Sequence, residues 1–250
     1  MFKGFVRRAA AVKALAVGAV LAIAVPGTAY ANTVGVTVKT PGATAGPGST
    51  FSEISTHADC AGGLISGGGI NQAIGTGSSS NGNHVNGTGP SSDGSTKYLG
   101  STGVVGTDVT HWLAIGGGGG ATNETYAYAV CSGAGINVGG ATVTVRNSEA
   151  SGPNTATSGQ TVTVGCGGND GKLVSGGAAI SSGDVTGTDF TGPGSGGDHL
   201  NGSYPSDADG NPVADGTTTA SYWTAYTHTG GAGSSGNHSD AWALCANDGV

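Results

Sequence analysis

Two stretches decide the reading of this chain: Tyr126-Ala-Tyr-Ala-Val-Cys131 and, much later, Asp240-Ala-Trp-Ala-Leu-Cys245. Each alternates small with larger side chains and ends on a cysteine. A period of two marks a strand whose faces meet different surroundings. Ala127, Ala129 and Cys131 fall on one face, and Tyr126, Tyr128 and Val130 on the other. Ala241, Ala243 and Cys245 likewise oppose Trp242 and Leu244. Small residues beside the cysteine suit the close approach of a second sheet, and the aromatics are expected to cover the opposite side.

Working backwards from these strands, further landmarks recur in one order. Val36-Thr-Val-Lys-Thr40 matches Val143-Thr-Val-Arg-Asn147, and Cys60 matches Cys166. Leu64-Ile-Ser-Gly-Gly-Gly69 matches Leu173-Val-Ser-Gly-Gly-Ala178. His84-Val-Asn-Gly-Thr-Gly-Pro-Ser91 matches His199-Leu-Asn-Gly-Ser-Tyr-Pro-Ser206, and His111-Trp112 matches Tyr222-Trp223. Such order predicts a tandem duplication, with one copy over residues 32–138 and the other over 139–250. Four cysteines permit three pairings. The repeat selects Cys60–Cys131 and Cys166–Cys245, each closing a loop of roughly 70–80 residues and contributing about 4 kcal/mol in the chain-entropy account.

The other strand signals agree. Thr161-Val-Thr-Val-Gly-Cys166 puts Val162, Val164 and Cys166 on one side, and no helical period appears after residue 31. Short alternating runs between Gly/Pro/Asn turns predict an all-β chain: two tandem antiparallel β-sandwiches, or flattened barrels, each with its own disulfide. An immunoglobulin domain is excluded by detail. Its tryptophan follows the first cysteine closely, whereas Trp112 and Trp223 come late, and its tyrosine position is held here by Ala129 and Ala243.

The first 31 residues are expected to be an export leader. Lys3, Arg7, Arg8 and Lys13 precede an apolar run from Ala14 to Val25, then Pro26-Gly27 and the small-x-small site Ala29-Tyr-Ala31. The run is shorter than the ~20 apolar residues of a membrane span. Arg7-Arg8 lacks the residues of a twin-arginine signal, which favours the general export route. The C-terminal Ala246-Asn-Asp-Gly-Val250 carries no sorting motif, so free release is expected.

Without the leader, Lys39, Lys97, Arg146 and Lys172 stand against fifteen carboxylates, a net charge of −11. No basic stripe remains for nucleic acid or an anionic membrane surface. Glycine, 52 of 250 residues, raises the entropy cost of ordering; three tryptophans and matched cysteines predict that the chain folds regardless.

These landmarks resemble a module of exported proteins from high-GC Gram-positive (actinobacterial) bacteria: Cys, an apolar pair, a Gly-Gly-Gly turn, Pro, Trp, and a last strand ending Ala-x-Cys. They are Cys60, Leu64-Ile65, Gly67–Gly69, Pro90, Trp112 and Ala129-Val-Cys131, then Cys166, Leu173-Val174, Gly176-Gly177, Pro205, Trp223 and Ala243-Leu-Cys245. This chain lacks the module's proline directly after the first cysteine and has longer middle loops. The module has no established activity, so the resemblance implies compartment and fold.

No complete catalytic set appears. Ser66 and Ser175 precede glycines without the acid a serine protease places there, and His57 has no counterpart before Cys166. A tight glycine turn is the expectation. His84 and His199 occupy matched positions, but no ligand spacing for a tight zinc site accompanies them. Asp207, Asp209, Asn211 and Asp215 form a weak calcium candidate that breaks the EF-hand pattern at Pro212 and Thr218. The Gly116–Gly120 run reads as a loop with no phosphate-binding Lys-Ser/Thr. Asn-x-Ser/Thr sequons begin at Asn86, Asn123, Asn201 and Asn237.

Trp112 and Trp223, helped by Tyr222 and Tyr226, are candidate sugar platforms, with His84 and His199 as binding candidates; core packing is the competing expectation for both tryptophans. The functional expectation is a secreted or envelope-associated, non-catalytic protein without a cofactor, binding a polysaccharide, another cell-wall component or a protein. The alternatives are an extracellular hydrolase using loop His and Asp residues and a structural surface or matrix component.

Overall fold

The computed structural model describes residues 36–48, 52–61, 63–74, 84–96, 98, 102–118, 123–132, 142–182, 198–230 and 235–247. The expected leader and its cleavage site, the junction at 139–140 and Gly119–Gly120 of the glycine run lie outside the described residues. The fold is all-β. In the first half run β1 (Val36–Lys39), β2 (Thr44–Ala45), β3 (Ser52–Asp59), β4 (Ile65–Ile74), β5 (His84–Ser91), β6 (Gly103–Thr107), β7 (His111–Gly118) and β8 (Asn123–Ser132). In the second run β9 (Thr142–Ser151), β10 (Gly159–Gly165), β11 (Lys172–Ser182), β12 (His199–Ser206), β13 (Tyr222–His228) and β14 (Asn237–Asn247). Both disulfides lie within a half, Cys60–Cys131 and Cys166–Cys245. No helix among the described residues is long and apolar enough to cross a membrane.

The strands pair in a recurring order. The cysteine-bearing β8 lies between β1 and β4, and β14 between β9 and β11. Similarly β7 lies between β3 and β5, and β13 between β10 and β12. Bulges recur too, at Asn86 in β5 and Asn201 in β12. Those in β4 and β11 fall between Ile65 and Gly67 and between Leu173 and Ser175. Ile65 and Leu173 therefore occupy the same site, opposite Cys131 and Cys245. This is one residue off the alignment of Leu64 with Leu173 that the sequence suggests.

The two halves share one sheet. Ala178 and Ala179 of β11 pair with Thr88 and Gly87 of β5, giving a seven-stranded sheet in the order β3-β7-β5-β11-β14-β9-β6. Two smaller sheets pack on it, one of β1, β2, β4 and β8 and one of β10, β12 and β13. A Cβ at Gly68 of β4 would fall 2.3 Å from the Trp112 ring, so Trp112 faces the first small sheet. Ala114, Thr88 and Ala178 share that face by register. Gly176, on the same face of β11 as Ala178, lies 2.3 Å (as Cβ) from the ring of Trp223 in the second small sheet. Both small sheets thus cover the same side of the large one.

The Gly-Gly-Gly turn expected from the sequence is instead strand interior. At Gly68 and Gly176 an indole lies against the backbone where a side chain would have no room. Gly116–Gly118, expected as loop, likewise end strand β7.

On the far side of the large sheet, Trp242 rests on Gly89, where a Cβ would lie 2.7 Å from its ring. The Trp242 indole and the Asn147 amide both donate to the Tyr98 carbonyl, at 3.2 and 2.9 Å. The chain leaving β5 crosses this surface, adds β6 to the edge strand β9, and returns through Val109 to β7. A first-half segment thereby straps the second half.

Candidate functional site

The second small sheet carries its chemistry on its outer face. Along β13, Trp223 and Ala225 turn inward to the core formed with Val162, Val164 and Ala243. Tyr222, Thr224, Tyr226 and His228 alternate outward. Three tyrosines lie against glycines there. A Cβ at Gly165 would be 2.5 Å from the Tyr222 ring, one at Gly159 2.7 Å from Tyr226, and one at Gly202 3.0 Å from Tyr204. Without side chains beneath them, the rings lie down on the sheet. Tyr226 is the most open, at 37 % exposure.

His228 pairs with His199 across β13 and β12, one row beyond Tyr226, with ring centroids 5.5 Å apart. His84 comes from the other half to within 6.0 Å of His199. Histidines far apart in sequence thus meet where the halves join. Among the described residues no three His, Cys, Asp or Glu side chains are arranged to hold a metal ion.

The turn after β12 folds back over the centre of this face. Tyr204 donates its hydroxyl to the Gly210 carbonyl at 3.2 Å, and Gly210 sits above Thr163 and Thr224. The Asp207 carboxylate accepts from Asp209 N, Asn211 N and Asn211 Nδ2 at 2.9–3.0 Å. Those donors, the Asn211 side chain foremost, hold its pKa below the ordinary value. The proposed calcium residues therefore build a turn, with Asp207 turned onto its own backbone. Asp209, Asn211 and Asp215 are exposed beside it.

Of the two tryptophans, Trp112 is fully buried and donates to Thr88 Oγ1 at 2.5 Å. Trp223 is half-buried and donates to Ser203 Oγ, its matched partner, at 2.9 Å. Their indoles seal the two sandwiches, and beside Trp223 the strand leaves Tyr222 and Tyr226 to face outward. Ser66 donates to the Val130 carbonyl at 3.0 Å. His57 stacks edge-on against His111 at 5.3 Å, with Asp59 at 3.8 Å from His111 Nε2. Two sequons are clasps: Asn123 and Asn237 are buried and donate to Pro47 and Pro153 carbonyls at 3.2 and 2.7 Å. Asn86 is also buried.

Sequence reasoning missed Tyr204 and the meeting of His84, His199 and His228; the glycines at 159, 165 and 202 were the available signal. Compared with known protein families, curated proteins and solved structures, the chain matches none of them.

Proposed function

We propose that this is an exported, non-catalytic polysaccharide-binding protein built by duplication of one β-module. The outer face around Tyr226, Tyr204, His199 and His228 is its binding surface. The observation that carries this reading is the set of tyrosines lying against glycines. Aromatic rings lying on a sheet offer flat apolar faces edged by hydroxyls, which suit the mixed apolar and hydroxyl surface of a sugar ring. Matched first-half positions do not repeat this chemistry. Tyr222 and Tyr226 correspond to His111 and Ile115, and Ile115 is 1 % exposed. The binding face therefore belongs to the second module, and the first serves as its support.

Retention of the oxidised protein on purified cell-wall polysaccharide tests this. Tyr226→Ala is expected to weaken retention about tenfold or more, and Tyr226→Phe, which keeps the ring, to retain most of it. Equal retention of Tyr226→Ala and wild type, or no retention of either, overturns the assignment.

A further inference from the structure

The first half has an outer face of its own, on a strand that does not correspond to β13. Along β8, Ala127, Ala129 and Cys131 are buried in the core. Tyr126, Tyr128 and Val130 alternate with them and turn outward. The matched residues of β14 are Asp240, Trp242 and Leu244, all buried on the far side of the large sheet, where the strap through Tyr98 and β6 crosses. Each chain has one such strap, and its own second half takes it. The first-half face is open instead. Val38, opposite Val130, is 60 % exposed, and Asn71, opposite Tyr126, is exposed as well. Opposite Tyr128 stands Gly69, where a Cβ would meet nothing within 4 Å. Where the covered face carries Asp240 and Trp242, the open one carries tyrosines, whose hydroxyls suit a wet contact. Tyr126 donates its hydroxyl to the Glu124 carboxylate at 2.7 Å. Aromatic rings, an exposed amide and bare backbone at Gly69 thus share one surface.

This surface and the tyrosine face of the second half look the same way, because both small sheets cover the same side of the large one. Strands β4 and β12 separate β8 from β13, a span of at least about 15 Å at ordinary strand spacing. The histidines lie between the two faces. Gln72, next to Asn71, donates to the Gly117 carbonyl at 2.8 Å, and Gly117 pairs with His84. His84 lies 6.0 Å from His199, and His199 lies 5.5 Å from His228, one row from Tyr226. A series of polar and aromatic groups therefore leads from Tyr126 and Asn71, past His84 and His199, to Tyr226.

We propose that one polysaccharide chain binds across both modules, seated on Tyr226 of the second and on Tyr128, Gly69 and Asn71 of the first, and passing over His84 and His199 between them. This rests on the reading of the protein as a polysaccharide binder and extends it, since the first module is then a subsite as well as a support. Two subsites on one polymer act through effective concentration, so the protein prefers long chains to short ones.

Binding of the oxidised protein to purified cell-wall polysaccharide, and to fragments of it too short to span both modules, tests this. The wild type is expected to hold the polymer at least about tenfold more tightly than the fragments. Tyr128→Ala and Gly69→Val are each expected to remove that preference. Gly69 has room for a Cβ and is not in the left-handed region, so valine there fills the surface with an unchanged melting temperature. Should Tyr128→Ala fail to fold, Gly69→Val alone decides. If both variants hold the polymer as the wild type does while Tyr226→Ala releases it, the path across the modules falls and the second-module site stands. A wild type that binds neither polymer nor fragments overturns both. A wild-type dimer that Gly69→Val dissociates overturns the path as well, by giving the first-half face to a second copy.

Discussion

At the scale of single residues, glycine is the packing partner of the aromatics. Gly176 has Trp223 ring atoms and the Trp242 carbonyl within 2.4 Å of where its Cβ would lie. Neither the indole, pinned by Ser203, nor the strand behind it can retreat cheaply. Gly176→Ala is therefore expected to destabilise by about 2–3 kcal/mol, measurable as a lowered urea midpoint at constant slope. The same residues explain why the site was only partly legible in the sequence. Tyr222 and Trp223 are adjacent, so one must face the core and the other solvent; hydrophobicity alone leaves the choice open. The glycine opposite each ring settles it.

A second residue-scale prediction concerns Asp93. Backbone N–H groups of Thr96 and Ser95, with the Thr96 hydroxyl, lower its pKa from 3.8 to about 2. Its folded-state pKa lies below the unfolded one, so its contribution is fully present above pH 3.8 and fades as pH falls through about 2. The Asp93 carboxyl carbon is expected to titrate near the lower value by NMR. Asp93→Asn, which cannot titrate, is expected to flatten part of the acid limb of the stability profile.

At the scale of elements, the disulfides follow from the recurring landmarks. Cys166–Cys245 spans 79 residues and ties the chain just after β10 to the C-terminal end of β14, joining the two layers of the second half. In the chain-entropy account its removal costs about 4.5 kcal/mol. Cys166→Ala/Cys245→Ala is expected to show a loss of that order in urea denaturation. The strands ending in these cysteines were legible because alternation of small and large residues survives in both copies. The pairing of β5 with β11 was not. Its contacts are Gly87 against Ala179 and Gly177 against Thr88, where a Cβ at Gly87 would meet that of Ala179 at 2.5 Å. Such closeness needs small residues, which leave no hydrophobic pattern to read. Register was also hidden at the bulges, which insert a residue without changing composition.

At the scale of the whole molecule, the question is whether the second half can stand alone. Residues 139–250 contain a complete two-layer set, β9-β14-β11 under β10-β13-β12, with its own disulfide. Two features argue that this is insufficient. Separation from β5 opens β11 as an uncharged edge rich in Gly and Ala beyond Lys172, a template for association. It also uncovers Trp242, Leu244 and Val145, now buried on the far side of the large sheet and joined to a core cluster that includes Val109 and Ile115. The strap through Tyr98 and β6 satisfies the Trp242 indole and the Asn147 amide as well. A fragment 139–250 is thus expected to form Cys166–Cys245 yet self-associate, with a melting temperature below that of the whole chain. In the intact protein, urea unfolding followed by Trp223 in a Trp112→Phe/Trp242→Phe background and by Trp112 in a Trp223→Phe/Trp242→Phe background should give coincident transitions, each referred to its own variant's midpoint by circular dichroism. A monomeric fragment as stable as the intact chain, or separate transitions for the two tryptophans, would show that the shared sheet joins two independently stable modules.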